Sequence, residues 1–175
     1  MPLDTLESIN PPFSSSPIDE IREAFQKIGL SSQDVLLELG CGEGHNLVLA
    51  AEEFGAEGIG YEFLDSLYDR AKENVEDRGL QESILLRKQS LYELQEEDLE
   101  RSTVAYLYLS NTANQILEPV LKQYSIKILT RIFDLPTKGK KLTEQIKLYD
   151  DLNNRCKQPK IAQSLVKILL RKDQE

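Results

Sequence analysis

Ile18, Ile21, Phe25 and Ile28 recur at intervals of three and four on a segment that ends near Gly29, a pattern that predicts an amphipathic helix. Residues 1–17 before it are rich in Pro and Ser and show no period, so they read as an arm. Beyond the helix, short apolar runs alternate with helical patterns. Val35-Leu36-Leu37 predicts a first strand, followed by a glycine-bearing turn and a helix from Asn46 to Phe54 that Gly55 closes. Gly58-Ile59-Gly60-Tyr61 predicts a second strand. A helix then runs from about Asp65, whose side chain is placed to cap it, to Arg78 before Gly79. Ile84-Leu85-Leu86, Thr103 to Leu109 and Ile126 to Leu129 predict further strands, with a helix over Asn114 to Tyr124 between the last two.

Strands alternating with helices of this length imply an α/β fold, a Rossmann-like, mostly parallel, doubly wound sheet covered on both faces. The C-terminal portion reads differently. Leu142 to Asp150 and Ser164 to Arg171 are strand candidates separated by a polar stretch, which predicts an antiparallel pair at the sheet edge. The apolar residues from Leu165 to Leu170 also fit a helix face. No internal repeat is visible, and residues 18–175 are expected to form one domain preceded by the arm.

Composition narrows the chemistry. A 175-residue chain that is 40% hydrophobic can bury one sizeable core. No apolar run reaches the roughly 20 residues of a membrane span, and the N-terminus lacks a secretory pattern, so a cytoplasmic protein without membrane insertion is expected. Cys41 and Cys156 are the only cysteines and His45 the only histidine, which disfavours a zinc cluster, a disulfide framework and a Ser-His-Asp triad; no metal is expected. The net charge of −9 opposes a broad phosphate-binding surface, so nucleic acid is not the expected partner. The same charge suits steering of a basic segment.

The candidate chemistry lies after the first strand, in Glu38-Leu39-Gly40-Cys41-Gly42-Glu43-Gly44. A glycine turn between a strand and a helix lets backbone approach a ligand and aims N–H groups at it. Nucleotide, dinucleotide and S-adenosylmethionine (SAM) folds all use such a turn. Two acids weigh between them, because Glu38 and Glu43 repel a pyrophosphate and suit SAM, which carries an ammonium and a sulfonium. The Gly-x-Gly-x-Gly spacing also misses the dinucleotide fingerprint, since His45 stands where a third glycine belongs. Glu62, 18 residues after Gly44, follows the second strand, where an acid accepts hydrogen bonds from ribose hydroxyls. His45 reads as an exposed helix-start residue, Cys41 as a contributor of its backbone N–H and small side chain, and Tyr61, Tyr106 and Tyr108 as packing groups.

Glu38 to Gly44 followed by Gly58 to Glu62 resembles motif I and its follower in class I SAM-dependent methyltransferases. Within them the chain is similar to the small protein-lysine methyltransferase family that includes the ATP synthase c-subunit lysine methyltransferase. Pro12-Phe13-Ser14-Ser15-Ser16-Pro17 is similar to that family's Pro-Tyr-Val-Pro-Thr-Pro arm, and Asn114, Leu117 and Pro119 match its Asn-x-x-Leu-x-Pro helix. The resemblance implies a SAM methyltransferase fold, SAM as cofactor and a protein lysine as acceptor. It also implies that Ser16, Glu38, Gly40, Cys41, Gly42, Gly44, Glu62, Ser90 and Leu91 bind the cofactor, while Asn111 and Asn114 line the acceptor channel. The chain departs from the pattern near the adenine and on the substrate side. Gln89-Ser90 stands for Gly-Asp, Ser110-Asn111 for Leu-Pro, Tyr124-Ser125 for Pro-Gly, and Arg131 for a histidine. A small-molecule N/O-methyltransferase, a catalytically silent SAM-binding module and, more distantly, an NAD-linked oxidoreductase remain as alternatives.

Overall fold

A computed structural model of the protein describes residues 16–135 and 139–150. Helix α1 (Ile18–Ile28) leads into β1 (Val35–Leu39), α2 (His45–Phe54), β2 (Glu57–Glu62), α3 (Asp65–Glu76) and β3 (Ile84–Lys88). A short α4 (Glu96–Arg101), β4 (Val104–Leu107), α5 (Asn111–Leu121), β5 (Lys127–Arg131), β6 (Lys140–Lys141) and β7 (Ile146–Tyr149) follow. The strands form one seven-stranded sheet in the order β3-β2-β1-β4-β5-β7-β6. β1 to β5 pair in parallel, whereas β7 pairs antiparallel with both β5 and β6. This is the expected Rossmann-like sheet with an antiparallel edge.

The edge pair differs from the expected one. The strand over Leu142 to Asp150 contracts to Ile146–Tyr149, and its hairpin partner is Lys140–Lys141; Ser164 to Arg171 lies outside the described residues. Other boundaries also move. Asp65 does not cap α3: Leu64 holds the cap position without a side-chain bond, and the Asp65 carboxylate pairs with Lys88 at 3.0 Å. Helix α5 starts three residues earlier than the apolar pattern indicates, because the Ser110 hydroxyl accepts the Ala113 N–H and caps it there. Helix α4 was invisible to periodicity, since its six residues hold one apolar side chain, Leu99.

Two apolar layers enclose the sheet. One gathers Leu37, Leu39, Ala105, Leu107 and the inner face of α5; the other packs Leu36, Val104 and Tyr106 against Phe25 of α1 and Leu47 of α2. A polar brace ties β2 and β3 to α4: Asp98, 1% exposed, accepts two bonds from Arg87 at 3.0 Å and one from the Tyr61 hydroxyl at 2.6 Å. No helix among the described residues is long and apolar enough to cross a membrane.

Candidate active site

In a sheet of this order the chain reverses direction of winding between β1 and β4, and the crevice beyond the carboxyl ends of those strands is where such folds bind ligands. A cavity of about 270 Å³ opens there. One side is lined by residues at the ends of β1, β2 and β3, among them Glu38, Glu62, Leu64 and Gln89; the other by Tyr106, Tyr108, Leu109, Ile132 and Phe133 at the ends of β4 and β5.

The glycine loop is shaped by its own hydrogen bonds. The N–H groups of Gly40 and Cys41 donate to the Tyr61 carbonyl at 2.9 and 3.0 Å, that of Gly42 to Glu62 Oε2 at 3.0 Å, and that of Gly44 to the Cys41 carbonyl at 2.9 Å. Gly40, Gly42 and Gly44 all have positive φ, the region that favours glycine. The N–H groups of Gly40, Cys41, Gly42 and Gly44 are therefore not the free donors that the sequence suggests. These four donors are satisfied inside the protein, so they form no anion cradle, and the loop suits a ligand without phosphate.

Glu38 supplies the cavity's buried acid. It lies in register with Gly60 on β2 and Tyr106 on β4, and is 4% exposed. Its Oε1 accepts from Asn46 Nδ2 at 2.7 Å, while Oε2 is buried with no partner. Burial pushes its carboxyl up to about 8, the Asn46 bond opposes this, and the Glu62 charge adds to it. An unpaired buried carboxyl oxygen is a ready acceptor for a cationic or N–H-bearing ligand. Glu62 is buried too, accepting the Phe63 and Leu64 N–H groups through Oε1 at 3.0 and 2.9 Å beside the Gly42 bond. A carboxylate has about four lone-pair sites, so hydroxyl donors can still join these three bonds.

Gly60 sets the loop's fit to the sheet. A Cβ there would stand 2.6 Å from Leu47 Cδ1 and 2.8 Å from Cys41 Sγ, so only glycine lets the loop and α2 lie against β2. The Cys41 thiol is buried, and burial together with the charges of Glu38 and Glu62 pushes it well above its ordinary range, so it is an inert packing group.

Ser16, Glu38, Gly40, Cys41, Glu62 and Leu91 all line the cavity. Gly42 and Gly44 do not. The first ties the loop to Glu62, and an added Cβ on the second would touch Ala71 of α3 at 3.4 Å, so both act on loop shape. Ser90 is displaced from the cavity by its neighbour: Gln89 lines it, while the Ser90 hydroxyl accepts the Tyr92 N–H at 3.3 Å. Asn111 is exposed on the first turn of α5, and Asn114 is fully buried with its amide donating to the Phe133 carbonyl at 3.0 Å; neither lines the cavity.

Glu43 is partly exposed, bound to Arg70 at 2.7 Å and His45 at 3.0 Å, and Arg70 holds its carboxyl below the usual range. Its charge is thus answered locally, although it too lines the cavity beside the buried Glu38 and Glu62. Sequence reasoning passed over Asn46 and took Tyr106 and Tyr108 as packing groups. Tyr106 is packed, yet its hydroxyl meets Ser16 Oγ at 2.7 Å at the cavity wall. The signal for Asn46 was its place eight residues after Glu38, in the first turn of the helix that follows the loop. Among the described residues no group of three His, Cys, Asp or Glu is placed to hold a metal ion.

A family model described as mycolic acid cyclopropane synthetase matches residues 13–106, more than half of the chain. A protein-lysine N-methyltransferase from Saccharolobus islandicus is 27% identical over 142 residues, covering 79% of this chain and 86% of that protein. Among solved structures, an RNA methyltransferase from Salinibacter ruber in complex with S-adenosyl-L-homocysteine superposes with a TM-score of 0.72 at 24% identity, covering 83% of this chain and 98% of that one. A SAM-dependent methyltransferase from Thiobacillus denitrificans, also in complex with S-adenosyl-L-homocysteine, gives 0.56 at 19% identity, over 78% and 56% of the two chains. These two structural likenesses concern the fold.

Proposed function

Because the chain belongs to the mycolic acid cyclopropane synthetase family and is a SAM-dependent methyltransferase, we propose that it acts in the cytoplasm and methylates the side-chain amine of a protein lysine. The observation that carries this reading is the uneven cavity. Its β1–β2–β3 side holds two buried carboxyls and its β4–β5 side is apolar and aromatic, through Tyr108, Leu109, Ile132 and Phe133.

When bound, SAM supplies a methyl group on a sulfonium, which a nucleophile takes in line as the sulfur leaves. The residues present fit that group. Glu38, with its unpaired oxygen, would accept from the ammonium, and Glu62 would accept from the ribose hydroxyls. Ser16, tied to Tyr106, would hold the methionine end, and Leu64 and Leu91 would supply apolar wall. The protein's contribution is alignment in a site that excludes water.

The β4–β5 side suits a lysine for two reasons. Its walls match the four-carbon stem, and they desolvate the amine, favouring the neutral form that is nucleophilic. The net charge of −9 favours a basic protein segment over a polyanion as the partner. The relative from Saccharolobus islandicus, a protein-lysine N-methyltransferase, supports the same acceptor.

The test is incubation with methyl-labelled SAM and lysate of the native cell, with the label located by mass spectrometry. Label on lysine side chains of protein is the expected result. Label confined to small molecules rejects the lysine reading, and no label anywhere favours a silent SAM-binding module.

A further inference from the structure

Ile132 is the only non-glycine among the described residues with a positive φ, +65°, a conformation rare for a β-branched side chain. It forms the centre of a three-residue turn in which the Phe133 N–H donates to the Arg131 carbonyl at 2.7 Å, a strained form of γ-turn. The strain secures no core packing, since Ile132 is 48% exposed, the most exposed large apolar side chain among the described residues. What it secures is position: Ile132 and Phe133 line the cavity beside Tyr108.

The surroundings hold this turn from three sides. The Ile132 N–H donates to the Gln145 carbonyl at 2.9 Å. Arg131, 6% exposed, pairs with Glu20 at 3.2 Å, bonds Gln145, and places its guanidinium 4.8 Å from the centre of the Tyr108 ring. From below, Asn114 donates to the Phe133 carbonyl at 3.0 Å. Strained backbone that its neighbours over-determine is a feature of functional sites.

We propose that Ile132 is a specificity-determining residue of the acceptor channel and that Asn114 is a positioning residue, holding the Ile132–Phe133 turn against the acceptor through the Phe133 carbonyl. This rests on the reading above, in which the cofactor occupies the β1–β2–β3 side and the acceptor enters from β4 and β5. An exposed apolar side chain at that mouth contacts the aliphatic stem of the acceptor, and its β-branch limits the width of what passes.

The test uses a bisubstrate probe, a SAM analogue whose sulfonium is replaced by a tertiary amine bearing a four-carbon amine arm, compared with S-adenosyl-L-homocysteine by calorimetry on the full chain. In the wild type the arm should improve affinity. Ile132→Asn keeps a residue tolerant of positive φ but removes the apolar contact, and should reduce the arm's gain about tenfold while S-adenosyl-L-homocysteine affinity holds within about twofold. Ile132→Leu should keep most of the gain. Asn114→Ala should reduce it as Ile132→Asn does, and the double variant should fall no further, the mark of two residues acting through one element. A gain unchanged in Ile132→Asn overturns the proposal alone. Absence of any gain in the wild type, with S-adenosyl-L-homocysteine bound, overturns the lysine reading and this proposal with it, and failure to bind S-adenosyl-L-homocysteine overturns the cofactor assignment as well. Parallel loss of both affinities in Asn114→Ala would make Asn114 a structural residue only.

Discussion

Asn46 Nδ2 donates to Glu38 Oε1 at 2.7 Å, and the second carboxyl oxygen of Glu38 is buried without a partner. The pair joins the end of β1 to the first turn of α2 across the glycine loop, so the acid is held at the cavity wall. Its single bond leaves the carboxyl poorly compensated for burial, which is why its proton is retained up to about 8.

A pH dependence follows from that retained proton. In the unfolded chain Glu38 titrates near its ordinary 4.5, so between 4.5 and about 8 the folded protein holds a proton that the unfolded chain has lost. The resulting stabilisation is complete below the unfolded value and disappears as pH rises through about 8. Urea unfolding of the ligand-free protein should show stability falling over this window, and Glu38→Gln should flatten the slope. A cationic ligand favours the ionised form, so calorimetry near neutral pH, in buffers of different ionisation enthalpy, should detect more proton release on SAM binding for wild type than for Glu38→Gln.

Glu62→Ala removes the acceptor of three backbone N–H groups, those of Gly42, Phe63 and Leu64, together with the proposed ribose contact. The expected outcome is SAM binding weaker by about 1–3 kcal/mol and a lower Tm, because loop and ligand share one carboxylate. Calorimetry and thermal unfolding on the same preparation separate the two effects. A lowered Tm with unchanged SAM affinity would confine Glu62 to the loop.

Gly60→Ala tests whether the loop's close approach to β2 is needed. The added Cβ meets Leu47 and Cys41 well inside contact distance, and overpacking of this kind costs about 1–3 kcal/mol. A drop in the urea midpoint with unchanged slope is the outcome that supports the packing argument. Full stability would mean that α2 shifts freely.

Where local chemistry decides the structure, the sequence was readable. The period of Ile21 and Phe25, the alternation of apolar runs with helices, and the glycine spacing after Glu38 led to the right sheet and to the crevice at its switch point. What escaped was set by long-range partners. Asp98 is buried because Arg87 and Tyr61 meet it across two strands, which no period in α4 announces. The satisfaction of the Gly40, Cys41 and Gly42 N–H groups depends on Tyr61 and Glu62, about 20 residues away in the chain. Ser90 reads as a cavity residue by alignment with a family pattern, yet the end of β3 leaves Gln89 there. The turn at Ile132 carries no glycine or asparagine, so nothing local marks its positive φ.

The last prediction concerns how an acceptor reaches the site. Beside Arg131, and so next to the turn at Ile132, lies a shallow hollow lined by Asp19, Glu20, Glu23 and Glu144. Glu20 is bound to Arg131, and Asp19 and Glu23 have basic partners on their own helix, whereas Glu144 is exposed on the far rim. With a net charge of −9 behind it, this face should attract a basic segment at low ionic strength. Raising salt so that the Debye length falls from about 30 Å to about 8 Å should then raise the KM for a lysine-bearing protein substrate several-fold. SAM affinity, decided by buried contacts, should move less over the same range. Glu144→Lys should raise KM at low salt and leave it nearly unchanged at high salt, with kcat unaffected, because the residue lies outside the cavity. A KM indifferent to both salt and this charge reversal would show that the acceptor is drawn in by contact alone, and would move the source of specificity wholly onto the β4–β5 wall.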